Sequence, residues 1–173
     1  MLQEKYLFED QPLEEMIVPI DGITLAVESG GELIFGRLEL PAVQSKEERT
    51  PLLLMMHGHP GISRNTDLAI ALRRAGIATC YFSYRGLWGS HGDYTFSHII
   101  EDTQTMFAYL KAHADEWRLD PERFYVLGCN ALSKSPSPLI NTATSYLSTI
   151  LNISSTISTS RFAFWVVHPF TVS

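Results

Sequence analysis

Through the first 129 residues the apolar positions fall into short runs punctuated by Gly, Pro and charged clusters, the pattern of strands alternating with helices. Glu15 to Pro19 and Ile23 to Val27 read as two short strands around an Asp21-Gly22 turn, and Gly30-Gly31 marks a second turn. Leu33, Phe35, Leu38 and Leu40, interrupted at Gly36 and stopped by Pro41, predict another strand. Together these make an antiparallel opening to a sheet, and the polar stretch Gln44 to Thr50 is a loop. Leu52, Leu53, Leu54, Met55 and Met56 are apolar without alternation, as expected of a strand buried on both faces.

A helix start at Asn65-Thr66-Asp67 leads into an apolar face of Leu68, Ile70, Ala71, Leu72 and Ala75, with Gly76 at the C-terminal cap position. Ile77 to Tyr84 is a second buried strand. From Ser97 the spacing of Ile99, Ile100, Thr103, Met106, Phe107 and Leu110 is helical, and Glu101 and Asp102 are expected to favour the positive end of that helix dipole. Phe124 to Leu127 is a third buried strand between a Pro turn and Gly128. Strand, helix, strand, helix, strand joined by right-handed crossovers predicts a three-layer α/β/α sheet, mostly parallel with antiparallel N-terminal strands.

Two Gly-rich loops follow buried strands: His57-Gly58-His59-Pro60-Gly61 and Arg85-Gly86-Leu87-Trp88-Gly89-Ser90-His91-Gly92-Asp93. Both fall at the carboxyl edge of the sheet, where open α/β sheets bind their ligands. After the third strand, Gly128-Cys129-Asn130-Ala131-Leu132 stands where a strand-to-helix turn of the form G-x-S-x-G would hold a nucleophilic Ser. Only the first Gly fits. Asn130 occupies the Ser position, and an amide with a delocalised lone pair cannot take on an acyl group, so Ser-type catalysis is excluded there. Cys129 comes one position early and Ser133 three late.

Composition changes at Asn130. All 19 acidic residues precede it; the 44 residues from Asn130 onward hold 16 Ser or Thr, two formal charges (Lys134 and Arg161) and one His, His168. Residues 1–129 read as the N-terminal half of a domain that is incomplete at the C-terminus, and 130–173 as an aberrant, out-of-frame tail, with a genuine but diverged tail as the alternative. A net charge of -6 without a basic run argues against a nucleic-acid or anionic-membrane partner. The first residues lack an apolar signal region, and no apolar run is long enough to span a bilayer, so a cytoplasmic location is expected. Cys80 reads as a small buried hydrophobe. The pair His57 and His59 has no Cys or acidic partner at ligand spacing, so neither a metal nor another cofactor is expected.

Leu53 to Gly61, Tyr84 to Asp93 and Asp120 to Gly128, in that order, resemble the α/β-hydrolase fold, and within it the prolyl-oligopeptidase-like and dienelactone-hydrolase-like serine hydrolases. The resemblance covers residues 15 to 129. It implies a parent activity of ester or peptide hydrolysis through a Ser acyl-enzyme on a small-molecule or peptide substrate. It also implies an oxyanion hole formed by the backbone N–H groups of His59 and Ala131, with His57, Gly58, Gly61, Arg85, Gly86 and Gly128 as motif positions. His57 is expected to support its loop, and Arg85 to anchor its own. His91, His98 and His113 are expected to be ordinary loop or surface histidines. The family's acid and His follow the nucleophile, yet no Asp or Glu follows Asn130 and His168 matches no family motif, so no catalytic set is intact. The alternative function is a non-catalytic pseudohydrolase that binds a small ligand or a protein partner at the same loops.

Overall fold

The computed structural model describes residues 3–12, 14, 16–58, 65–129 and 164–167, the last four by their backbone. A 3-10 turn, Glu4–Leu7, precedes β1 (Asp21–Ser29), β2 (Glu32–Leu40), β3 (Thr50–Met56), α1 (Thr66–Arg74), β4 (Ala78–Phe82), α2 (Phe96–Ala112), β5 (Leu119–Cys129) and β6 (Phe164–Val167). The strands form one mixed sheet in the order β1-β2-β4-β3-β5-β6. β3 pairs in parallel with both β4 and β5, whereas β1–β2, β2–β4 and β5–β6 are antiparallel. The expected parallel centre and antiparallel N-terminal strands are present, and β6 adds an antiparallel strand from the Ser/Thr-rich stretch.

The unbroken apolar run of β3 has its explanation in the two faces of the sheet. Leu52, Leu54 and Met56 join β1, β2, β4 and β5 residues in a core closed by Ile99, Met106 and Leu110 of α2. Met55 points the other way and packs with Leu127 and with Ala69 of α1, alongside Leu53, Tyr81 and Tyr125. Successive strand residues face opposite sides, so a strand covered on both must be apolar at every position. The chain steps from β3 to β4 on one side and then back across β3 to β5. Crossovers of one hand in opposite directions place their helices on opposite faces, which is where α1 and α2 lie.

Four sequence expectations change. Asp21-Gly22 is not a turn but the start of β1, with Gly22 paired to Glu39; Val18 makes only an isolated bridge to Val43, so the described part of the expected first strand, Met16 to Pro19, is no strand. Second, α2 begins at Phe96, capped by Thr95 Oγ1, which accepts from the His98 N–H at 3.2 Å. Glu101 and Asp102 therefore fall beyond the first turn and serve Arg85 instead of the helix dipole. Third, the apolar faces are narrower than predicted, because Ile70 and Ile100 are exposed. Fourth, the Pro121 turn lies inside β5: β3 advances from Thr50 to Leu52 while β5 advances from Leu119 to Phe124. This bulge is held by Asp120, which accepts from the Glu122 N–H at 3.1 Å and from Arg123 Nε at 2.6 Å.

The loop after β4 is tied to the sheet by a buried carboxylate. Asp102 is completely buried and accepts from the Arg85 backbone N–H at 2.8 Å, from Arg85 Nε at 2.7 Å and from the Ser29 hydroxyl at 2.7 Å. Arg85, itself buried, also pairs through Nη2 with Glu101. One side chain of α2 thus joins the end of β1 to the first residues of the loop. Nearby, Ser90 Oγ donates to the Ser83 carbonyl at 2.8 Å and accepts from the Phe35 N–H at 3.0 Å.

Three outcomes follow. Asp102→Ala leaves the Arg85 guanidinium buried beside its lost partner and should destabilise the protein by about 3–5 kcal/mol in urea unfolding. Gly36→Ala brings a Cβ to 2.9 Å from both the Phe82 Cβ and the Tyr81 carbonyl, so β2 and β4 must part; the expected loss is about 1–3 kcal/mol. The hydrogen bond from Arg85 and its charge hold the Glu101 carboxyl below its usual range. A carboxyl depressed in the folded state adds stability above its unfolded pKa and loses it as pH falls through the folded one. Urea midpoints should therefore drop from pH ~5 to pH ~3, and Glu101→Gln should flatten that slope.

Candidate functional site

The ends of β3, β4 and β5 deliver three segments to one edge of the sheet. Met56 is in register with Gly128, so the end of β5 lies beside the start of the His57-Gly58 loop. The helices that follow β3 and β4 leave on opposite faces, which opens a crevice between these two strand ends, the place where α/β sheets take ligands.

His57 forms the floor at the end of β3. It is buried, at 6% exposure, and its Nδ1 lies 3.1 Å from the Gly58 carbonyl. Its ring sits 4.3 Å from that of Tyr84, tilted, and 4.5 Å from that of Trp88, edge to face. The Tyr84 hydroxyl donates to the His57 carbonyl at 3.4 Å, which ties the loop after β3 to the end of β4. Tyr84 packs in turn edge to face on Phe82. Aromatic contacts of this geometry add about 0.5–1.5 kcal/mol each beyond area burial, so the crevice floor is a stiff stack.

The wall is the loop after β4. Its backbone closes on itself, the Gly86 N–H donating to the His91 carbonyl at 2.9 Å, the Leu87 N–H to the Tyr84 carbonyl at 3.1 Å and the Ser90 N–H to the Leu87 carbonyl at 3.0 Å, while the His91 N–H donates to the Leu33 carbonyl of β2 at 2.8 Å. Gly86 has φ +74, and a Cβ there would fall 2.5 Å from the Tyr94 backbone nitrogen, so only glycine fits. The Leu87–Ser90 turn has positive φ at both central residues, Trp88 at +41 and Gly89 at +95. Turns of this kind favour Asn-Gly, and a bulky side chain there costs about 1–2 kcal/mol. Leu87 packs inward against the core, while Trp88 stays 41% exposed above His57.

Of the motif positions, the structure brings His57, Gly58, Arg85, Gly86 and Gly128 to this edge, with Arg85 held by Asp102 and Glu101. β5 continues in the sheet through Cys129. His59, Gly61, Asn130, Ala131, Ser133 and His168 lie outside the described residues. Trp88 is a residue of this edge that the sequence does not single out, because only its contact with His57, distant along the chain, gives it a place there. His91 is exposed and lies edge to face with Phe35 at 5.7 Å. His98 Nδ1 lies 2.8 Å from the Asp93 carbonyl. His113 is less of a surface residue than expected: it stacks on Trp117 at 5.1 Å and its Nδ1 lies 2.8 Å from the Tyr109 carbonyl. Cys80 is fully buried, and burial pushes its thiol pKa up.

Among the described residues no three His, Cys, Asp or Glu are grouped to hold a metal ion, and no helix is long and apolar enough to cross a membrane. No protein-family model and no curated protein matches the chain in sequence. Solved structures do match. A bacterial heroin esterase superposes with a TM-score of 0.50 at 23% identity, covering 62% of this chain and 34% of its own. The esterase Est22 does so with a TM-score of 0.50 at 17% identity, covering 63% and 34%. The chain thus spans about a third of the length of these structures. Likeness at such identity is likeness of fold, and with the sheet order and helix placement above it shows that the described residues carry part of an α/β-hydrolase fold.

Proposed function

We propose that this chain presents the ligand-facing loops of an ester-hydrolysing α/β-hydrolase of the prolyl-oligopeptidase-like or dienelactone-hydrolase-like kind, and that it does not itself form an acyl-enzyme. The observation that carries this reading is the register of Gly128 with Met56. A nucleophile two positions after Gly128 in sequence would arise from the strand end adjoining the His57 loop, and the residue at that position is Asn130. A carboxamide there cannot be acylated as an activated hydroxyl is. Within residues 131–173 the one His is His168, and there is no Asp or Glu to orient it as a base. That solved structures of the same fold are named as esterases favours an ester over a peptide as the parent substrate. The change of composition at Asn130 belongs to the same reading, as a tail that does not supply the remaining catalytic groups.

What stays is a binding edge: an aromatic floor and a wall pinned by Asp102. Binding of a small ester without turnover is the role this arrangement supports in the 173-residue chain.

Incubated with a fluorophosphonate probe, the purified chain should form no covalent adduct detectable by intact-mass measurement, and 4-nitrophenyl butyrate should be released no faster than in buffer. A stoichiometric adduct, mapped to any residue, would sink the claim that the acyl-enzyme chemistry is missing.

A further inference from the structure

Trp88 is in an unusual position for a residue with no role. It stands at a turn whose two positive φ values suit Asn-Gly, so its backbone is strained, and strain of this kind concentrates at ligand-binding sites. Core burial does not account for it, because Leu87 is the residue of this turn that packs inward, while Trp88 remains 41% exposed. The turn is also rigid. Hydrogen bonds from the Gly86, Leu87, Ser90 and His91 N–H groups fix its backbone, and Ser90 Oγ ties it to Ser83 and Phe35. The indole is therefore held at a set height over the buried His57 ring, edge to face at 4.5 Å, at the crevice where the β3 and β4 helices part.

We infer that Trp88 forms a subsite for a planar aromatic or bulky apolar group of the bound ester, with the indole as its selecting surface and the buried His57 ring as its support. This rests on the reading that the crevice takes an ester. His57 props the indole from beneath, with 70° between the ring planes, and the exposed part of the indole is a flat surface on which another planar ring can stack. A short alkyl group touches little of it. The subsite thus discriminates between esters by the size and flatness of one substituent.

The test is ligand-observed NMR titration of the full chain with 2-naphthyl acetate and with ethyl acetate. Trp88→Asn keeps a residue suited to the turn and removes the indole; Trp88→Phe keeps an aromatic ring. Trp88→Asn should weaken 2-naphthyl acetate about tenfold and Trp88→Phe by less than about threefold, with ethyl acetate unchanged in both. An independent readout needs no variant: in the 15N spectrum, 2-naphthyl acetate should shift the Trp88 indole N–H resonance and leave that of Trp117 in place. Equal binding of 2-naphthyl acetate by wild type and Trp88→Asn, or an unmoved Trp88 resonance on binding, overturns the subsite while the ester reading stands. Binding of neither ester by the wild-type chain overturns the ester reading, and the subsite with it.

Discussion

The arrangement of the carboxyl edge depends on one buried carboxylate. Asp102 gathers a hydroxyl from the end of β1 and both the main chain and the side chain of Arg85 at the end of β4. A buried charge is tolerated only with charged and hydrogen-bonded partners around it, so the three segments are held in one arrangement. Because Arg85 opens the Gly-rich loop, the height of everything that follows, from the Gly86 close approach to the Trp88 turn, is referred to α2. The ion pair spends stability on position: an apolar cluster could hold these elements as firmly, but could not aim a main-chain N–H.

The second constraint is topological. Reversal of direction across β3 puts α1 and α2 on opposite faces, and that is why a crevice opens between β3 and β4 at all. The His57 ring fills its base and is locked by Tyr84 from one strand end and by Trp88 from the loop. Floor and wall are consequences of strand order before they are consequences of any single residue.

Much of this was legible in the sequence. The apolar runs from Leu52 and from Ile77, and the Phe124 to Leu127 segment, became the parallel strands, because a strand buried on both faces cannot be disguised. What was misread involved partners distant along the chain. Asp21-Gly22 carries a turn signal, yet it enters β1 because Leu40 and Glu39 pair with it and because the bare Gly22 leaves room for the Arg37 side chain across the ladder. Glu101 and Asp102 resembled dipole-favouring residues until the structure supplied Arg85. Trp88 could not be recognised from local rules, since propensity speaks against a Trp at that turn and only the position of His57 gives it a neighbour. The candidate site was legible as loops, and not as side chains meeting.

The parallel pairing of β3 on both sides also governs how the chain can acquire its structure during synthesis. β3 is complete by residue 56, but its β4 partner arrives only at Ala78 and its β5 partner only with Leu119–Cys129. Pairings between such distant segments form late. A nascent chain therefore carries an apolar strand with one unpaired edge for the whole time taken to translate α2, and unpaired strand edges recruit other chains. The same central strand that makes the finished sheet possible leaves the growing polypeptide with an aggregation-prone edge until β5 is made.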